Sequence, residues 1–442
     1  MYGCNGSHTY WDNEHCSVGC KRKSNIMNSR ERVRKVLNRE IPDRMPIDLG
    51  STRTTGISAI AYNRLKEKTG FKKDYARMYD FVQQLAYPGK EIRDLFKIDI
   101  IDAGQAFLRS PDAWKKFRLN DGSECLIPKT INLEEDSNGD VYIKNSDDVI
   151  LGIKPSSSLY ADQSFWVYGN NKKIPENIYE KDLELDLWAE TSPPPGKLDI
   201  FNDEDFKVFT DSIRELYEKT DYSICLRIGG NQVESGFSLR GMENYLCDIY
   251  LDKKGVHRLL DKLMEGYMRN LKRIVESVGQ YVDILMFADD MGGQEGPLIS
   301  PEIYRELFKP RHKKMWDYVH DNSNCKVFFH CCGSIAELLP DLIDAGIDIL
   351  NPVQTTAKNM DPEYLKREFG KYIIFHGGCC NTSEVLARGS LKEVEEDVRK
   401  RIGILGKGGG LIFNQIHNIL ADVPPENIIK MLESAHKYGL YT

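Results

Sequence analysis

No segment of the sequence approaches the ~18 uninterrupted apolar residues of a membrane-spanning helix. Its first residues show no charged stub leading into an apolar run of the secretory kind. A cytoplasmic location without a membrane partner is therefore expected. Long runs of one charge sign are missing as well: the net charge is -7, the pI is near 5.8, and the basic residues are scattered. That pattern argues against a nucleic-acid partner. A disulfide framework does not fit either, because eleven cysteines is an odd number and the vicinal pairs Cys331–Cys332 and Cys379–Cys380 are poor material for one. We read them as reduced thiols available to a metal. The glycine-rich run at 406 to 410, GKGGG, precedes a strand and not a helix, so it lacks the helix N-terminus that a phosphate cradle uses and is read as a turn.

What is present is enough apolar material, 41% of 442 residues, to bury a large core. Residues 1–27 have no hydrophobic period and are read as a flexible extension, although Cys4, Cys16, Cys20, His8 and His15 offer metal donors there. From residue 28 the chain repeatedly alternates a short apolar run with an amphipathic helical stretch, the pattern of βα units around a parallel sheet. Eight runs qualify as strands: MPIDLG (45–50), KIDIIDAG (97–104), SICLRIGG (223–230), VDILMFADD (282–290), KVFFHCCGS (326–334), IDILNPVQ (347–354), YIIFHGGCC (372–380) and LIFNQIHN (411–418). They predict one α/β domain over 28–442, a (β/α)8 TIM-like barrel. Residues 115–175 change period and read as short antiparallel strands turning at NGD. This predicts a β-rich insertion after the second strand, at about 110–200, closed by a stiff SPPPG turn (192–196) before a helix from Glu204 to Lys219.

In such a barrel the site lies at the C-terminal strand ends. There the sequence gathers Glu234, Asp289 and Asp290, His330 and Cys332, Gln354, His376 and Cys380, Asn414 and His417. Alternate side chains of a strand share a face, so His330 and Cys332 offer one nitrogen and one sulfur to the same cation. A third donor from Cys379 or Cys380 completes a set that suits zinc with one position open. A core histidine beside buried thiols is the plain alternative, but two His/Cys clusters at the same barrel end favour metal. Asp289 and Asp290 are candidates for acid/base or ligand roles, one of them being equally suited to capping the next turn. Glu234, in a glycine-bounded loop, is a candidate to complete the metal shell.

These residues carry a resemblance. RERVRKVLN with PDRMPIDLG, FSLRGMENYLCDIY, DDMGGQEGPLISPEIYRELFKP, FHCCGSIAELLPDLIDAGIDILNPVQ, HGGCCNTSEVLARGS and GGGLIFNQIHNILADVPPENIIKMLESAHKYG resemble the uroporphyrinogen decarboxylase superfamily over nearly all of the chain past residue 28. True decarboxylases carry an arginine-rich R-Q-A-G-R-type loop for substrate carboxylates, where this chain has STRTTGISAIAYNRL. The sequence is more similar to the corrinoid-dependent branch, which includes methylcobalamin:coenzyme M methyltransferases and aryl-ether demethylating components. That resemblance implies zinc held by His330, Cys332 and Cys380, with Glu234 near the metal and Cys379 at the variable position. It also implies methyl transfer between a small methylated substrate or thiol acceptor and a methylcobalamin or other corrinoid supplied by a partner protein. Oligomeric state is left open, a homodimer included. Two other expectations stand beside this one: a metal-free, decarboxylase-like lyase acting on a carboxylated small molecule through Asp289 or Asp290, and a barrel that only binds a corrinoid partner.

Overall fold

The apolar runs pair with one another in the order in which they occur in the chain. In the computed structural model, which describes residues 27–72, 74–106, 108–191 and 203–441, seven strands form one sheet: Ile100–Asp102, Ser223–Gly229, Ile284–Ala288, Lys326–His330, Ile349–Asn351, Ile374–His376 and Leu411–Ile412. Every pairing in it is parallel. Parallel neighbours need crossover connections, and helices supply them. The longest, Lys253–Val278, starts at an Asp252 cap and buries a stripe that includes Val256, Leu260, Leu263, Leu271, Ile274 and Val278, the spacing of one helical face. Residues 45–50, expected as a strand, form isolated bridges instead. Ile47 pairs in parallel with Phe413, and its carbonyl accepts from Asp99 N at 2.8 Å. The segment thus touches both edge strands of the sheet.

The chain between the strand Ile100–Asp102 and the helix Asp203–Lys219 is rich in antiparallel strands. Asn132–Glu135, Val141–Lys144, Ile150–Lys154 and Asp162–Gln163 make a four-stranded sheet, with Gly139 supplying the positive φ of 81° that the NGD turn requires. Trp114–Arg118 and Glu124–Pro128 join a five-stranded sheet with Ile57–Ser58, Ala76–Asp80 and Leu85–Tyr87. The sequence reading did not anticipate the last two, whose run ARMYDFVQQLAY does not alternate cleanly. The proposed N-terminal extension, with its cysteines and histidines, lies outside the described residues except for Met27; the SPPPG turn also lies outside them.

Inside the parallel sheet, Ile100, Cys225, Met286, Phe328, Ile349, Ile374 and Ile412 pack into one cluster, and Val33, Val36 and Leu37 of the helix Ser29–Leu37 join it from below. A strand repeats its facing every two residues. The next inward positions are therefore Asp102, Arg227, Ala288, His330, Asn351, His376 and Asn414. An apolar layer is followed directly by a mostly polar one, and the polar layer holds the candidate site.

The helix beneath the apolar layer is fixed by a capping box between Asn28 and Glu31 and by the fully buried carboxylate of Asp99. That carboxylate accepts from Arg32 Nη1 (2.8 Å), Arg44 Nη1 (2.7 Å) and Nη2 (2.9 Å), and Ile47 N (2.8 Å). Removing one partner of a buried ion pair leaves uncompensated charge, which costs about 3–5 kcal/mol. Asp99→Ala should lower unfolding stability in urea by that order; a loss below ~1 kcal/mol would show that the arginines do not depend on it.

Candidate active site and metal centre

Phe328 faces the interior, so His330, at the end of the same strand, does too, and Cys331 points away. The Cys331 thiol is buried and accepts from Met291 N at 3.2 Å. Beyond the strand the chain turns at Gly333, whose φ is +87° and where a Cβ would lie 2.4 Å from the backbone of Gly292. Only glycine fits there. The turn brings Cys332 Sγ to 3.4 Å from His330 Nε2. His417, in the loop after the last strand, completes the group: the donor atoms of His330, Cys332 and His417 all lie within 4.8 Å of one another.

Hydrogen bonds determine which ring nitrogen of each histidine faces this group. The carbonyl of His376 can only accept, so the atom of Asn351 that bonds to it at 3.1 Å must be Nδ2. Asn351 Oδ1 then faces His330 Nδ1 at 2.7 Å, and it also accepts from Thr54 Oγ1 at 2.9 Å. His330 Nδ1 therefore carries the proton, and Nε2 presents its lone pair toward Cys332. The network continues outward: Asn351 Nδ2 lies 3.1 Å from His376 Nδ1, and His376 Nε2 lies 3.1 Å from Asp48 Oδ2. At His417, Nδ1 lies 2.9 Å from Asn418 Oδ1. Burial first, and the nearby His330 second, push the His417 pKa below its ordinary value, which keeps this ring neutral.

Two carboxylates, Asp290 and Glu234, adjoin the cluster. Asp290 Oδ1 accepts from Cys332 N at 2.7 Å and lies 3.6 Å from His330 Nε2. Glu234 begins the helix Val233–Arg240, its Oε2 accepts from Asn231 Nδ2 at 2.6 Å, and burial, then Asp290 and Asp289, push its pKa well above the carboxylate range. The Cys332 thiol is raised in the same way, by burial, then by Asp290 and Glu234. Acids crowded together without a counter-ion stay protonated, and a cation placed among them reverses the shift.

Asp289 is placed differently. Its two oxygens accept from Gln232 N (3.0 Å), Val233 N (2.8 Å) and Glu234 N (2.9 Å), so it holds the start of the Glu234 helix and turns away from the cluster. The structure brings His417, and not Cys380, to His330 and Cys332. Gly377 and Gly378, at φ of 88° and 76°, turn the chain after its short strand, and the Cys380 thiol is pushed well above its ordinary pKa by burial, then by the neighbouring Asp397. Cys379 is buried against the carbonyl of Gly377. Asn351 and Asn418, which orient the two rings, escaped the sequence reading because an amide carries no motif; their only signal is that each ends or follows a strand of the parallel sheet. A separate cavity of about 860 Å3, lined in part by Arg34, Asp283, Lys326 and Asp348, lies at the opposite strand ends, away from these groups.

Residues 231–438 match the uroporphyrinogen decarboxylase (URO-D) family model, and that span contains Glu234, Asp290, His330, Cys332, Asn351 and His417. In sequence the chain is similar to the uroporphyrinogen decarboxylase of Pseudoalteromonas atlantica, 27% identical over 43% of this chain and 50% of that protein. It is also similar to that of Methylococcus capsulatus, 25% identical over 47% of this chain and 55% of the other. The chain thus matches about half the length of these curated relatives. In fold it is similar to a methyltransferase from Methanosarcina mazei, with a TM-score of 0.55 at 14% identity, covering 93% of this chain and 99% of that one. The span that holds the candidate site is thus the part of the chain that matches the uroporphyrinogen decarboxylase family.

Proposed function

We propose that this chain is a zinc-dependent methyltransferase of a corrinoid system, built as one (β/α)8 barrel over residues 28–442, with the segment around Ile47 as the eighth strand and the antiparallel sheets as an insertion. The observation that carries the reading is the cluster of His330 Nε2, Cys332 Sγ and His417 within 4.8 Å, with the lone pair of His330 Nε2 aimed into it by Asn351. Two neutral imidazoles and a thiolate form a borderline-soft donor set of the kind zinc takes. The surrounding acids supply the demand for a cation.

When bound, zinc provides a Lewis-acidic position open to a thiol or a methylated oxygen or nitrogen. The chain's own residues do the rest. His330 and His417 hold their rings through Asn351 and Asn418, Cys332 gives up its proton on loading, and Asp290 fixes the Cys332 backbone. Glu234 holds a proton in the metal-free state and is the carboxylate placed to release it or to complete the shell. The mouth above them is the docking face for a separate methylcobalamin-carrying protein, with the small methylated substrate or thiol acceptor beneath it.

A second reading, the metal-free lyase, is favoured by the names of the sequence relatives. It needs a substrate-facing carboxylate and a counter-charge for a substrate carboxylate. Asp289 is engaged by three backbone N–H groups, and Arg53, in the loop after residues 45–50, is paired with Asp80. Full turnover after metal stripping would establish that reading over the first.

Elemental analysis of the purified chain should find about one zinc, and most of it should be lost in His330→Ala, Cys332→Ser and His417→Ala. Cys380→Ser tests the ligand that the resemblance implies; we expect it to keep its zinc, and a loss equal to that of Cys332→Ser would return Cys380 to the donor set. Asn351→Leu should weaken zinc binding by about 10–100-fold, the usual effect of losing a group that orients a ligand; unchanged affinity in a chelator competition would show that the ring needs no such support. The Glu234 shift predicts a pH dependence for metal-free protein. Its folded pKa is raised, so the native state keeps a proton that the unfolded chain releases, and stability is lost as pH rises from the ordinary glutamate value, ~4.3, toward the folded one. Glu234→Gln removes that titration. Its melting temperature relative to the parent should rise with pH above about 4, and a constant difference would contradict the protonated state.

A further inference from the structure

His417 has a second face. It lines a cavity of about 490 Å3 at the mouth, within the size range of small-molecule sites. No aspartate, glutamate, lysine or arginine is among its described lining residues. Its polar wall is neutral, made of five amides, Gln83, Gln294, Gln354, Asn381 and Asn418, and the hydroxyls of Tyr160, Thr356, Thr382 and Ser383, with Ile416 and Leu420 as apolar wall.

Two of these amides have a fixed sense. The backbone N–H of Gly333 donates to Gln354 Oε1 at 2.7 Å, so the amide nitrogen of Gln354 is left over. With His417 Nε2 turned to the metal, Nδ1 carries the proton and donates to Asn418 Oδ1 at 2.9 Å. Asn418 Nδ2 then donates to Gln83 Oε1 at 2.8 Å, which leaves the Gln83 amide nitrogen over as well. Both are N–H donors on the cavity wall without an acceptor among the described residues. An ionised group seated against these amides would lose hydration with no opposite charge among the lining residues, whereas a neutral oxygen would gain the two donors.

We propose that this cavity binds the substrate, and that the substrate is an uncharged, oxygen-bearing small molecule. Its acceptor oxygens take the amide N–H groups of Gln83 and Gln354, and its apolar part rests on Ile416 and Leu420 beside His417. The inference rests on the reading of His330, Cys332 and His417 as the reaction centre.

Calorimetric titration of the zinc-loaded full chain with three matched probes tests it: 2-methoxyphenol (neutral), 4-hydroxy-3-methoxybenzoate (anionic) and 3-methoxytyramine (cationic). The neutral probe should bind at least about tenfold tighter than either ion. Gln83→Leu and Gln354→Leu, each with its zinc intact, should weaken it by about tenfold. An ion that binds as tightly as the neutral probe, a neutral probe that does not bind, or leucine variants that bind it unchanged would each overturn the inference while the metal reading stands. A parent chain without zinc would overturn both.

Discussion

The hydrogen bond from the Asn351 side chain to the carbonyl of His376 is the constraint on which the site depends. A backbone carbonyl cannot donate, so this single contact removes the two-fold ambiguity of the amide. From it follow the proton on His330 Nδ1 and the lone pair of His330 Nε2 that meets Cys332. No electrostatic argument is needed to choose the tautomer; the peptide backbone of a neighbouring strand makes the choice. The Asp48 carboxylate extends the same chain behind His376, so the polar layer is tied together across strands that are separated by hundreds of residues in sequence.

The electrostatics complete that geometry. Glu234 and Asp290 stand beside Cys332 and two imidazoles, and the shifts of Glu234 and Cys332 share one leading cause, burial, with the neighbouring acids second. Groups arranged in this way stabilise a folded chain poorly by themselves. They are well suited to a bound cation, which changes the sign of every interaction at once. Asp289 belongs to the supporting structure: by holding the first turn of the helix Val233–Arg240 it delivers Glu234 to the site.

Much of this was legible in the residues. The two-residue period of the strands gave their positions, and it also gave the inward facing of His330. Continued past the end of the strand Ile284–Ala288, the same alternation separates Asp290, on the side of Ala288, from Asp289, on the side of the capped helix. The loops were less legible because they have no period. Two successive glycines with positive φ redirect Cys380 toward Asp397, and His417, expected at the end of a strand over 411–418, reaches the cluster from the loop after the shorter strand Leu411–Ile412. The hairpin of Ala76–Asp80 and Leu85–Tyr87 was missed because its register shifts between Met78 and Asp80, which breaks the alternation, and because its other partner, Glu124–Pro128, lies far along the chain, and propensity does not encode distant partners.

The two-residue step from the isoleucine layer to the polar layer divides each strand into positions with separate duties. Ile349 and Asn351, or Phe328 and His330, are one pleat apart, yet the first of each pair belongs to the packed interior and the second to the chemistry. Selection for durability and selection for a new substrate therefore act on different letters of the same short word. A lineage can rewrite the upper letters strand by strand while the lower ones keep the sheet packed.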